Sequence, residues 1–216
     1  MKRLLLAAVA LSAMAGLAAA ADLSPGPYYQ APIYAPPIYN WTGFYAGLNG
    51  GGAIGRSSWD TTGGFNVSGG LVGGTVGYNY QYSYAVFSVE GDLDWADING
   101  STANGCPAGC RTSDSWLSTV RGRIGYAGDR VMPYITGGGA FGNFTASTAG
   151  LSNTTTNAGW TVGAGIEFVI AGHWTAKAEY LYVDLGKFNC GLNCGAANDN
   201  VSFNANIVRA GVNYRF

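Results

Sequence analysis

Between Trp41 and Phe216 apolar and polar residues alternate with a period of two, in eight stretches near residues 41–54, 70–81, 85–96, 115–127, 131–142, 157–170, 173–184 and 201–216. That period belongs to a β-strand with one apolar and one polar face. In the third stretch Phe87, Val89, Leu93 and Trp95 oppose Ser88, Glu90, Asp92 and Asp94, and in the fourth Trp116, Val120, Ile124 and Tyr126 oppose Thr119, Arg121 and Arg123. The sixth sets Trp160, Val162, Ala164, Ile166 and Phe168 against Thr161 and Glu167; the last sets Val208, Ala210, Val212, Tyr214 and Phe216 against Arg209, Asn213 and Arg215. The connections 82–84, 128–130 and 171–172 are short, whereas 55–69, 97–114, 143–156 and 185–200 are longer and rich in Gly, Ser, Thr and Asn. An even number of strands joined alternately by short turns and long loops predicts an all-β fold, an eight-stranded antiparallel barrel that crosses a membrane. Both ends of the barrel segment then lie with the short turns, on the periplasmic side.

Alternation alone does not say which face is outside, since a soluble barrel would turn its apolar face inward. The aromatic residues decide it. Trp95, Trp116, Phe141, Trp160 and Tyr182 fall on the apolar face at the long-loop end, and Tyr80, Tyr126, Phe168, Trp174 and Tyr214 at the short-turn end. Two such belts are expected where a barrel meets the two membrane–water interfaces. The apolar face therefore looks to lipid, and the few charges look inward. Those inward candidates are Glu90, Asp92, Asp94, Glu167 and Glu179 against Arg121, Arg123, Lys177, Arg209 and Arg215, five of each sign. A buried unpaired charge costs several kcal/mol, so a lumen network of ion pairs is expected. Eight strands leave an interior that side chains can fill.

The chain opens with Lys2 and Arg3, an apolar run from Leu4 to Leu17, and small residues Ala18 to Ala21, which predicts a secretory signal peptide over 1–21. After it no run of about 18 apolar residues free of charge, Gly and Pro remains, which argues against helical spans and leaves the closed barrel as the way across. Residues 22–40 hold five of the seven prolines, interleaved with Tyr28, Tyr29, Tyr34 and Tyr39; they read as an extended periplasmic arm, with the barrel over 41–216. Without the leader nine Lys and Arg face twelve Asp and Glu, a balance unsuited to nucleic acid. Cys106 and Cys110, and Cys190 and Cys194, form two tight pairs in long loops. In an exported chain each pair is expected to close its own loop as a disulfide, with cross-loop pairing the alternative. No metal or cofactor is expected. The one histidine, His173, stands beside a short turn with no nucleophile recommended near it, so an enzyme is not expected.

Six pieces, in order along the chain, carry a resemblance. They are Trp41-Thr-Gly-Phe-Tyr-Ala-Gly47, Gly73-Gly-Thr-Val-Gly-Tyr-Asn79, Val89-Glu-Gly-Asp-Leu93, Thr119-Val-Arg-Gly-Arg-Ile-Gly-Tyr126, Glu179-Tyr-Leu-Tyr182 and Val208-Arg-Ala-Gly-Val-Asn-Tyr-Arg-Phe216. Together they resemble the small outer-membrane immunogenic proteins of Alphaproteobacteria, often grouped as a porin family. The resemblance implies an OmpA/OmpX-like barrel with surface-exposed loops, without implying a pore. Val212, Tyr214 and the terminal Phe216 likewise look like the signal read by the barrel-assembly machinery. Beyond that machinery and outer-membrane lipid, the expected partner is an extracellular ligand or host surface met through the loops. The expected function is a structural and surface-interaction role with a lumen closed by its charges; the alternative is a low-conductance porin for small hydrophilic solutes.

Overall fold

The computed structural model describes residues 39–59, 63–102, 110–148, 151–189 and 200–216. Among them are eight strands: β1 (Gly43–Trp59), β2 (Gly63–Tyr82), β3 (Ala85–Thr102), β4 (Cys110–Tyr126), β5 (Val131–Thr148), β6 (Leu151–Ala171), β7 (Trp174–Asn189) and β8 (Asn200–Arg215). Each pairs antiparallel with its sequence neighbours, and β1 pairs with β8, from Tyr45 opposite Arg215 to Trp59 opposite Val201. The sheet is a closed barrel. Closure leaves no edge, so every strand finds its ladder partners inside the sheet.

The two tightest turns both need a positive φ. In the β2–β3 turn Ser83 adopts φ 55°, and the Gln81 side chain donates to the Ser83 carbonyl at 2.9 Å. In the β6–β7 turn Gly172 adopts φ 52°, where the missing Cβ removes the steric penalty.

The strands are longer than the alternation predicts. β2 and β6 run 20 and 21 residues, whereas a tilted membrane-crossing strand needs about 9–11. The surplus lies on the loop side, so most of 55–69, 97–114 and 143–156, together with 185–189 and Asn200, continues the ladders. Thr145 faces Thr154 and Phe144 faces Thr155 in the β5–β6 register. Threonine is a good strand former despite its polarity, and a reading that takes Thr- and Asn-rich sequence for loop misses that.

The outward face carries a band of exposed apolar side chains, among them Leu48, Val76, Val89, Leu93, Val120, Ile135, Val162 and Val208. Trp95, Phe141 and Trp160 are exposed at its loop-side rim, where the Trp160 and Tyr182 rings are 5.5 Å apart; Trp116 is half-buried there. At the turn-side rim Tyr80, Tyr126, Phe168, Trp174 and Tyr214 are exposed, and Tyr214 makes edge contacts with Trp174 and Phe216 at 5.1 and 5.4 Å. Beyond the loop-side rim the faces exchange character. Arg56, Asp97 and Asn206 point outward and are exposed, while Ala53, Val67, Leu71, Ile98, Leu117, Leu181, Val183, Leu185, Phe203 and Ile207 form a buried cluster inside. Where lipid gives way to water the apolar residues move to the interior, as the hydrophobic effect requires.

Candidate functional site

The interior is stacked in three tiers along the barrel axis. Next to the loop-side apolar tier lies a polar tier assembled by strand register. Period-two alternation sends Glu90, Asp92 and Asp94 of β3 inward together; pairing places Arg121 opposite Glu90, Thr119 opposite Asp92 and Arg123 opposite Ser88. On the far wall Lys177 stands opposite Glu167 and Arg209 opposite Glu179. All of these charged side chains are buried.

Arg121 lies at the centre. Its guanidinium pairs with Glu90, with Glu179 across the lumen, and with Asp92 Oδ2 at 2.7 Å. Arg123 donates to Glu90 Oε2 at 2.8 Å and Glu167 Oε2 at 2.7 Å. Lys177 Nζ reaches Glu90 Oε2 at 3.0 Å. Arg209 spans Asp94, Asp92 and Glu179 at 3.0, 3.1 and 3.2 Å. Neutral groups supply further partners. Thr75 and Thr119 hydroxyls donate to Asp92 at 2.6 and 2.9 Å, and the Tyr45 hydroxyl donates to Glu90 at 2.8 Å while accepting from Arg123 at 3.0 Å. Thr175 and Asn213 donate to Glu167 at 2.6 and 3.1 Å. The Arg123 guanidinium also lies 3.9 Å over the Tyr134 ring, a cation–π contact. Asp94 Oδ1, Arg123 Nε and Arg209 Nε have no protein hydrogen-bond partner.

The third tier closes the turn side. Trp41, Val86, Ala127, Met132 and Tyr134 form a second buried cluster, with Tyr39 and Val169 packed against it. Trp41 comes from the segment before β1, and its backbone N–H donates to Gln81 Oε1 at 2.7 Å.

One expected member of the charge network is elsewhere. Arg215 makes no ion pair within 4.0 Å among the described residues; its guanidinium lies 4.2 Å over the Tyr39 ring at the turn-side mouth. Arg215 is the last residue of its strand, so its side chain reaches out of the sheet into the mouth. The paired set is therefore five carboxylates against four cations, in place of five against five. Sequence reasoning also missed Tyr45, Thr75, Thr119, Thr175 and Asn213 as partners; Thr119, Thr175 and Asn213 share inward parity with the charges on their strands, whereas β1 and β2 carry no inward charge that would single out Tyr45 or Thr75. Cys106, Cys190 and Cys194 lie outside the described residues, as do the predicted signal peptide and all but the last two residues of the predicted arm; Cys110 begins β4. His173 Nδ1 is 2.9 Å from the Arg215 carbonyl oxygen, and its ring lies 5.8 Å from Tyr214. Val212, Tyr214 and Phe216 face outward from the last strand.

Comparison with known proteins places this architecture. The family described as "Outer membrane protein beta-barrel domain" matches residues 4–216. The 31 kDa outer-membrane immunogenic protein of Brucella melitensis is 38% identical over 246 residues, covering all of both chains. The 22 kDa outer membrane protein of Rhizobium leguminosarum is 33% identical over 190 residues, covering 87% of this chain and 82% of that one. Among solved structures, Neisserial surface protein A aligns with a TM-score of 0.49 at 17% identity, covering 81% of this chain and 98% of that one. With a family match over nearly its whole length, a closed eight-stranded sheet and an apolar outer band, the chain belongs to the outer-membrane β-barrel proteins.

Proposed function

We propose that this protein is a closed scaffold of the outer membrane: it contributes to envelope integrity and presents its loop-side ends for surface interaction, with a lumen that does not conduct. The observation that carries this reading is the stacking, among the described residues, of three buried tiers in the interior, one apolar, one ion-paired and one of Trp41, Met132 and Tyr134. An ion passing through would have to part the buried pairs of Arg121 and then cross apolar layers that offer it no ligand. The turn-side mouth and the N-terminal segment belong to the periplasm in this reading, and the extended loop-side strands to the exterior. Lipid covers the apolar band, Val212, Tyr214 and Phe216 serve recognition by the assembly machinery, and the ligand or host surface is met at the loop side. We assign no catalytic role to His173, whose ring nitrogen is engaged by the Arg215 carbonyl.

The test is single-channel recording of the refolded, heat-modifiable barrel in a planar bilayer, with Arg121→Ala beside it. Silence from the wild type is the expected result. Reproducible wild-type conductance steps whose size or ion preference changes in Arg121→Ala would make the protein a porin and overturn the reading.

A further inference from the structure

The two ends of the lumen are closed by different means. The loop-side tier is made wholly of side chains on strands, fixed by the ladders around them. At the turn side the largest plugging side chain, Trp41, belongs to no strand. It is 1% exposed, yet its backbone lies in the four residues 39–42 that precede β1.

Those four residues cross the mouth. On one side they are tied to the end of β2: Trp41 N–H donates to Gln81 Oε1 at 2.7 Å, and Gln81 N–H donates to the Thr42 hydroxyl oxygen at 3.1 Å. On the other, the Tyr39 hydroxyl donates at 3.3 Å to the carbonyl of Gly172 in the β6–β7 turn, and the Arg215 guanidinium covers the Tyr39 ring at 4.2 Å. Around the ring β1 and β2 are separated from the β6–β7 turn by the intervening strands, so the ties sit on well-separated parts of the rim. Tyr39 packs edge-on against Trp41 with ring centroids 5.0 Å apart, and Trp41 contacts the cluster of Val86, Ala127, Met132 and Tyr134.

We propose that residues 39–42 form a strap over the turn-side mouth, with Trp41 as its stopper, and that this strap is the releasable seal of the lumen. Moving a strand-borne side chain out of the lumen means breaking a sheet ladder. Lifting the strap means exchanging a few side-chain hydrogen bonds for water and exposing one indole. The chain before Tyr39 is joined to the stopper within two residues, so a pull on that chain is delivered directly to Trp41. Release would admit periplasmic water as far as Ser88, Asn79 and Glu90 while the loop-side tier stays shut. It is an opening of one mouth and does not create a pore.

The inference rests on the closed-lumen reading, and its test separates the two. Ser88 is buried, faces the lumen, and lies on β3 between Val86 of the turn-side cluster and Glu90 of the charge tier. Ser88→Cys is introduced into the full chain, refolded in detergent and exposed to a cationic methanethiosulfonate. Modification at position 88 is followed by peptide mass, which keeps it distinct from the native cysteines. With Trp41 in place, labelling is expected to be slow; in Trp41→Ala it should accelerate at least tenfold, and Trp41→Phe should restore most of the protection. Gln81→Ala and Tyr39→Ala, which loosen the ties without emptying the lumen, should give intermediate rates, and they decide the matter if Trp41→Ala does not refold. Fast labelling with Trp41 present, or unchanged slow labelling in folded strap variants, would overturn the inference while wild-type bilayers remain silent. Conductance of the wild type would instead overturn the closed-lumen reading itself.

Discussion

Replacing Arg121 by Met removes one guanidinium and leaves three carboxylates facing one another. Glu90, Asp92 and Glu179 all pair with Arg121, and none of them is exposed. Five carboxylates against four cations become five against three, so the paired set moves from a net −1 to a net −2. Arg123, Lys177 and Arg209 still reach one or two of the three acids each, which limits the damage without removing it. Methionine fills much of the space, so the loss is electrostatic more than steric. Removing one partner of a buried ion pair typically costs about 3–5 kcal/mol, and that range applies here because the carboxylates have no route to water. With a urea slope of about 2 kcal/mol per molar, the unfolding midpoint should fall by about 2 M. The assay is equilibrium unfolding of the refolded barrel in lipid vesicles, followed by heat-modifiable mobility and tryptophan fluorescence. Adding Glu179→Gln to Arg121→Met should recover part of the loss, because it removes one of the stranded charges. A midpoint for Arg121→Met within about 0.5 M of wild type would mean that the acids are hydrated, and the closed lumen would be refuted along with it.

Other perturbations separate the remaining parts of the structure. Tyr45→Phe deletes a hydroxyl that donates to Glu90 and accepts from Arg123; hydrogen bonds to charged groups are worth about 1.5–3 kcal/mol, so the same unfolding assay should show a loss of that size, and no change would exclude Tyr45 from the network. Leu181→Ala in the loop-side apolar tier should cost about 2–4 kcal/mol and still give no conductance in a planar bilayer. Val89→Arg, in the middle of the outward apolar band, should cost about 2–4 kcal/mol, and Ile54→Arg near its loop-side rim about 0–1; equal costs would place the membrane elsewhere on the barrel. At Gly138 a Cβ would stand 2.1 Å from the Val120 carbonyl oxygen and 2.7 Å from Arg121 Cα. Gly138→Ala should therefore lower refolding yield sharply on a heat-modifiability gel, and wild-type yield would show that β4 and β5 can separate there.

The strand count, the direction of the faces and the aromatic rims were legible because lipid and lumen impose a strict alternation, visible in Phe87 to Trp95 and Trp116 to Tyr126. The inward charges of β3, β4, β6 and β7 followed from the same parity. Three things did not follow. The alternation of β7 continues from Lys177 and Glu179 into Leu181, Val183 and Leu185, and the sequence does not mark where lipid ends outside and apolar filling begins inside. Arg215 shares the parity of Arg209, but parity says nothing of its place at the end of a strand, where a long side chain can turn to an aromatic ring. Trp41 was read as the start of the first strand; its packing against Met132 and Tyr134 of β5 is a contact that only the closed ring brings to it.

The pairing of β1 with β8 has a further consequence for how the chain reaches its native state. The ion-paired tier draws on β3, β4, β6, β7 and β8, and Tyr45 adds β1. An arc of sheet lacking β8 has no Arg209 for Asp94 and no Asn213 for Glu167. A partly assembled ring thus gathers acids before it holds the bases that neutralise them, and each added strand is repaid in full only when the last one arrives. Such a chain has little to gain from stopping halfway. Acquisition of its native state is cooperative over the whole circumference, and a nascent barrel without its C-terminal strand is an unstable species by construction.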